Sequence, residues 1–144
     1  MITESEIDKC IALIESDQSK ALELPESFQE YLASEIYSSL RKDEQQVLNF
    51  SLSVIYNCCD PEEDKFDIDS YLDLEDHNWS LRDKDRSLND TMDAFFKNYS
   101  EEDLLAFVED ILVEDDDQEL TTVGKEIILI CSKSLIDLLQ DVRF

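Results

Sequence analysis

Residues 115–126, DDDQELTTVGKE, space their acids much as a calcium loop does. Asp115, Asp117 and Glu119 fall at its first, third and fifth positions and Glu126 at its twelfth. Such a loop needs glycine at its sixth position for a sharp turn, and Leu120 stands there. Thr122 also replaces the apolar residue expected at position eight, so the acids attract cations without building a dedicated site. The other reactive side chains are few. His77 is the single histidine, set in LEDHNW between acids and an indole, and reads as a surface or packing residue beside Trp79. Cys58 and Cys59 are adjacent and make no C-x-x-C, and Cys10 and Cys131 lie at no ligand spacing from them. Gly124 is the only glycine, which rules out glycine-rich phosphate loops. With 37 acids, carboxylate pairs are everywhere and none stands out as an acid–base couple. The expectation is a protein without catalysis, metal or cofactor.

The charge is lopsided: 37 acidic against 12 basic residues, net −25. Surfaces of that sign repel nucleic acid and anionic lipid, both of which need Lys and Arg to neutralise phosphate. They attract basic proteins. The chain is nevertheless 42% hydrophobic, with seven Phe, five Tyr and one Trp, so it has the apolar content that disordered acidic tails lack. Its 144 residues fit one domain spanning 1–144. No apolar run approaches the roughly 18 residues of a membrane span, and MITESEIDKC is no signal peptide. The expected location is the cytoplasm, with the four cysteines as free thiols.

One glycine and two prolines leave little material for hairpins, and helical spacing dominates. TESEIDKCIALIES opens with a Thr3–Glu6 capping box and places Ile7, Cys10, Ile11 and Ile14 on one face. Pro25 suits the first turn of a helix striped by Phe28, Tyr31, Leu32, Ile36 and Leu40. Asp43 can cap a third helix, which should stop at Asp60-Pro61. One short helix is expected near 67–76 and another over RSLNDTMDAFFKNY. SEEDLLAFVEDILVE follows, with Ser100 and Asp103 as an approximate capping box and Leu104, Phe107, Val108, Ile111 and Leu112 inward. The last helix is apolar nearly all round through Ile127 to Ile130, the mark of burial against several neighbours. These elements predict an all-α fold of about seven helices, as a compact bundle or a short α-superhelical stack of helical hairpins.

Two acidic clusters remain to be explained. Residues 60–76 hold nine carboxylates against Lys65 alone, and Glu101 to Glu119 hold ten with no Lys or Arg. A helix over 67–76 would set Asp69, Asp73 and Asp76 on one face, where like charges cost a few tenths of a kcal/mol per pair. Solvated faces usually mix both signs. The clusters therefore read as a surface for a basic partner, built from Asp69, Asp73, Asp76, Asp110, Glu114, Asp115, Asp116 and Asp117. Tyr71 and Trp79 are its candidate aromatic anchors.

A small, strongly acidic, all-helical chain without a catalytic signature resembles the immunity proteins of bacterial polymorphic-toxin systems, including contact-dependent growth inhibition. The resemblance covers size, charge and helical content over the whole chain and rests on no motif, so no residue is carried over. It implies neutralisation of a cognate toxin, often a basic nuclease. The expected form is a monomer or weak dimer, and the charge argues against direct contact with nucleic acid or membrane. Two alternatives are a DNA mimic that blocks a DNA-binding protein and a helical adaptor offering an apolar groove.

Overall fold

A computed structural model describes residues 2–16, 22–59, 66–82, 87–97, 99–113 and 120–140, which form seven α-helices and no strand. The first, α1, spans Glu4–Ser16, and half of its capping box forms: Thr3 Oγ1 accepts from the Glu6 N–H at 3.3 Å. Pro25 leads into α2, Glu26–Tyr31. The α-helical geometry does not run on to Leu40. A π turn, Leu32–Ile36, and a 3-10 turn, Tyr37–Ser39, follow instead. The cause is a strict spacing: Phe28, Leu32, Ile36 and Leu40 are all buried, four residues apart. At 3.6 residues per turn such a stripe drifts by about 40° per step, and the wider π turn takes up part of that drift.

α3 spans Lys42–Cys59, and Asp60-Pro61, where its stop is predicted, lies outside the described residues. Asp43 is not its cap. The helix starts at Lys42, two residues before the start an Asp43 cap implies, so Asp43 sits in the first turn and meets the Arg41 guanidinium at 3.1 Å, while the Arg41 N–H donates to Glu44 Oε1. α4 covers Ile68–Leu81 and so continues well past residue 76. α5, Leu88–Phe96, is capped by Ser87, whose hydroxyl accepts from the Asp90 N–H. α6, Glu102–Val113, begins after Glu101 and not after Ser100. The Glu101 carbonyl accepts from Leu105 N–H, and its carboxylate accepts from Ile2 N–H at 3.0 Å, which ties the start of α1 to the start of α6. α7, Thr122–Leu139, has Thr121 as its cap.

The all-round apolar character of α7 has the expected consequence: every residue from Ile127 to Asp137 is buried. α3, α4 and α6 pack against it, α1 lies on α3 and α6, and α5 lies on α6. In a superhelical stack each hairpin would meet only its neighbours. Here one helix is wrapped by three, and the architecture is a compact all-α bundle. No helix among the described residues is long and apolar enough to cross a membrane.

The length of α4 comes from an inward face that is largely polar. Tyr71, Glu75, Asn78 and Arg82 are all buried at helical spacing toward the core. Lys133 donates to Asn78 Oδ1 and to Asp137 Oδ2, both at 2.9 Å, and its ammonium lies 4.8 Å from the Phe95 ring centroid. Tyr99 donates to the other Asp137 oxygen at 2.5 Å. Glu75 accepts from Tyr31 at 2.6 Å, from Tyr71 at 2.9 Å and from the Cys131 thiol at 3.3 Å. Arg82 bridges Thr91 and Glu126. Buried polar groups cost free energy unless paired, and these pair with one another across α4, α5 and α7.

Candidate partner-binding surface

On α4 the inward face is polar, and the outward one is as acidic as its sequence. Asp69, Asp73 and Asp76 are all exposed on the side away from α7. At the head of the helix Ser70 donates its hydroxyl to Asp67 at 2.7 Å, and that bond is the main reason the Asp67 carboxyl sits below the usual range. Tyr71 does not belong to this surface. It is fully buried, 4.7 Å from the Phe28 ring centroid, with its hydroxyl spent on Glu75, and it offers nothing to a partner. Burial first, then the neighbouring Cys131 and Glu75, hold its phenol far above its ordinary value. Trp79 is half-buried against the core on the flank of α4, where part of the indole remains accessible.

The second acidic cluster is described only in part. Asp110 is exposed on α6, while Glu114, Asp115, Asp116 and Asp117 lie outside the described residues. Glu126, the residue a calcium loop would use as its last ligand, is held by Arg82 at 3.0 Å. Among the described residues no cluster of three or more His, Cys, Asp or Glu side chains could hold a metal ion. The cysteines are free thiols: Cys10, Cys58 and Cys59 half-buried, Cys131 buried. Burial pushes the Cys131 thiol well above its ordinary value, the opposite of what a nucleophile needs. His77 is half-buried beside the exposed Asp76.

Asp110 stands on the lip of a groove that sequence patterning did not reveal. It runs between α1 and α6 and encloses about 400 Å³. Ile7 and Ile11 from α1 and Ala106, Phe107 and Ile111 from α6 make its floor, and Glu4, Asp8, Asp103 and Asp110 make its rim. Each helix contributes residues at i, i+3, i+4 and i+7, one face of a helix. Phe107 and Ile111 were expected inward. In the bundle Leu104, Leu105, Val108 and Leu112 fill the core, and Phe107 and Ile111 are half-buried on a second apolar stripe, Phe107 still packed on the core with its ring 6.2 Å from that of Phe50. The sequence signal for this was the width of that stripe: α6 is apolar around more of its circumference than one packing face can use.

Charge is also sorted by depth. Among the described residues sixteen carboxylates are exposed, whereas Lys9, Arg41, Lys42 and Lys97 are the exposed bases. Arg82 and Lys133 have been withdrawn into the core, where they answer Glu126 and Asp137. Among the described residues the exposed charge is therefore strongly acidic. The bundle's polar interior is turned on itself, and among the described residues its exterior presents acid, with apolar side chains lining the α1–α6 groove. No protein-family model, curated protein or solved structure matches the chain significantly.

Proposed function

We propose that this protein is a non-catalytic inhibitor that binds a basic protein in the cytoplasm, as an immunity protein covers the active or nucleic-acid-binding surface of a cognate nuclease toxin. The observation that carries the reading is the sorting of charge by depth. Two of the bases are buried against Glu126 and Asp137, and among the described residues sixteen exposed carboxylates face four exposed bases. A surface shaped for solubility alone mixes both signs. A one-sided surface steers an oppositely charged partner and raises its association rate toward about 10⁸–10⁹ M⁻¹s⁻¹ at low salt. Inhibition of this kind needs no active site, only a complementary face.

Co-expression tests the reading. The gene should lie just downstream of one encoding a protein with a basic toxic domain. Cells making that domain should survive only when this protein is made with it. Survival without it, or death despite it, would overturn the reading.

A DNA-mimic reading draws on a different feature, the exposed row of Asp69, Asp73 and Asp76 on α4. Carboxylates at i, i+4 lie about 6 Å apart along a helix, a spacing compatible with phosphates. Specificity separates the two: a mimic binds several DNA-binding proteins, an immunity protein only its cognate toxin.

A further inference from the structure

The groove between α1 and α6 combines features that the rest of the acidic surface does not. Its floor is apolar, yet Ile11, Phe107 and Ile111 reach solvent there as half-buried side chains. Its rim carries carboxylates on both walls, Glu4 and Asp8 on one and Asp103 and Asp110 on the other, with no Lys or Arg among its lining residues. Lining residues run from Glu4 to Ile11 and from Asp103 to Ile111. At 1.5 Å per residue that is a trough roughly 10–12 Å long, the length of about two helical turns.

We propose that this groove receives an amphipathic basic helix of the partner, its apolar stripe on the floor and Lys or Arg on each flank against the rim. The inference rests on the basic-partner reading and adds where contact is made and by what element. An apolar strip flanked by carboxylates selects such a helix over other occupants. A purely polar cation would leave the floor wet, and an uncharged apolar helix would leave the rim acids partly desolvated without compensation. A second copy of this chain would set the same rim carboxylates against each other, a like-charge arrangement that costs affinity.

The test uses three synthetic peptides of equal length: an amphipathic Leu/Lys helix, its scrambled non-amphipathic isomer, and the amphipathic helix with Glu in place of Lys. Binding to the full chain is followed by fluorescence anisotropy at physiological salt, where the screening length of about 8 Å confines charge effects to the contact itself. The amphipathic basic peptide should bind at least tenfold more tightly than either control. Ala106→Trp, which fills the trough, should weaken it about tenfold or more. So should the double reversal Asp8→Lys, Asp110→Lys, which changes only exposed side chains and keeps the test informative if the Trp variant folds poorly. Reversal of Asp69, Asp73 and Asp76 to Lys on α4 should change binding less than threefold. If the groove variants leave binding intact while the α4 reversal removes it, the groove assignment is wrong and the basic-partner reading stands. Equal binding of the scrambled peptide, or dimerisation through this face in light scattering, also overturns the groove. Failure of every basic peptide to bind overturns both.

Discussion

The carboxylate of Glu44 occupies the space that a side chain at position 124 would need. Glu44 Oε2 accepts from both the backbone N–H and the hydroxyl of Thr121, at 2.9 and 2.8 Å, so α3 supplies a second cap to the start of α7. A Cβ added to Gly124 would overlap the same oxygen. The one glycine in the chain is there for close approach between two helices. Gly→Ala inside a helix ordinarily stabilises by up to about 1 kcal/mol. Gly124→Ala is expected to destabilise by about 1–3 kcal/mol, because it displaces a bonded carboxylate. In a Glu44→Ala background the same change should become neutral or stabilising, as urea denaturation of the double-mutant cycle would show. Additive effects would mean that the two side chains do not compete.

Acid stability follows from the same residue. Burial alone would raise the Glu44 carboxyl, but bonds from the Arg41 N–H, the Thr121 hydroxyl and N–H, and the nearby Arg41 guanidinium outweigh it and bring it below its ordinary value of 4.5. A depressed carboxylate contributes stability that is present above its unfolded value and disappears as pH falls through the folded one. Glu44→Gln should therefore flatten the loss of stability below about pH 4.5 while lowering stability at pH 7. Thermal melts across that range check it. An unchanged pH profile would remove Glu44 as a contributor. Crowding of so many carboxylates leads one to expect raised values. Glu44 and Asp67 move the other way because each has specific donors.

At the alkaline end the buried tyrosines decide. Tyr71 and Tyr99 are held unionised far above the ordinary value of 10, in each case first by burial. Cys131 and then Glu75 add to this for Tyr71, and Asp137 does so for Tyr99. The folded state keeps protons that the unfolded chain releases, so stability falls as pH rises past about 10, by up to about 1.4 kcal/mol per pH unit for each tyrosine. Tyrosinate absorbance from this pair should appear together with loss of helical circular dichroism. Full ionisation of every tyrosine with the helices intact would contradict it.

The Lys133–Asp137 pair is fully enclosed, with side-chain exposures of 5% and 0%. Lys133→Met strands Asp137 beside Asn78 and Tyr99 and should cost about 3–5 kcal/mol, as removal of one partner from a buried pair does. Replacing both, Lys133→Met with Asp137→Leu, should recover part of that loss. A double variant as unstable as the sum of the singles would show that the two residues act independently.

The helices that sequence patterning located well are those whose inward faces are apolar. α7 follows from side-chain type, a local property. α4 extends past residue 76 because Glu75, Asn78 and Arg82, which read as surface, are met from far along the chain: Glu75 by Cys131, Asn78 by Lys133, Ser134 and Asp137, and Arg82 by Glu126. Tyr71 was misplaced for a related reason. Its flanking acids suggested a surface, while its own side of the helix faces the core. The π turn was present as the strict four-residue spacing from Phe28 to Leu40. The α1–α6 groove depends on which of two apolar stripes on α6 the core uses, and that choice is made by packing.

The most direct measurement of what the surface acid does is the association rate with the proposed basic partner, followed by stopped flow across a salt series. The native chain would be compared with Asp69→Lys, Asp73→Lys, Asp76→Lys and with Asp115→Lys, Asp116→Lys, Asp117→Lys, each triple reversal made alone and then together. Charge that steers a basic partner acts mainly on the on-rate and is screened by salt. The combined reversal is expected to slow association at least tenfold at low salt and much less at high salt, with helical circular dichroism unchanged. Association as fast and as salt-dependent as that of the native chain, after reversal of both clusters, would show that these acids do not meet the partner.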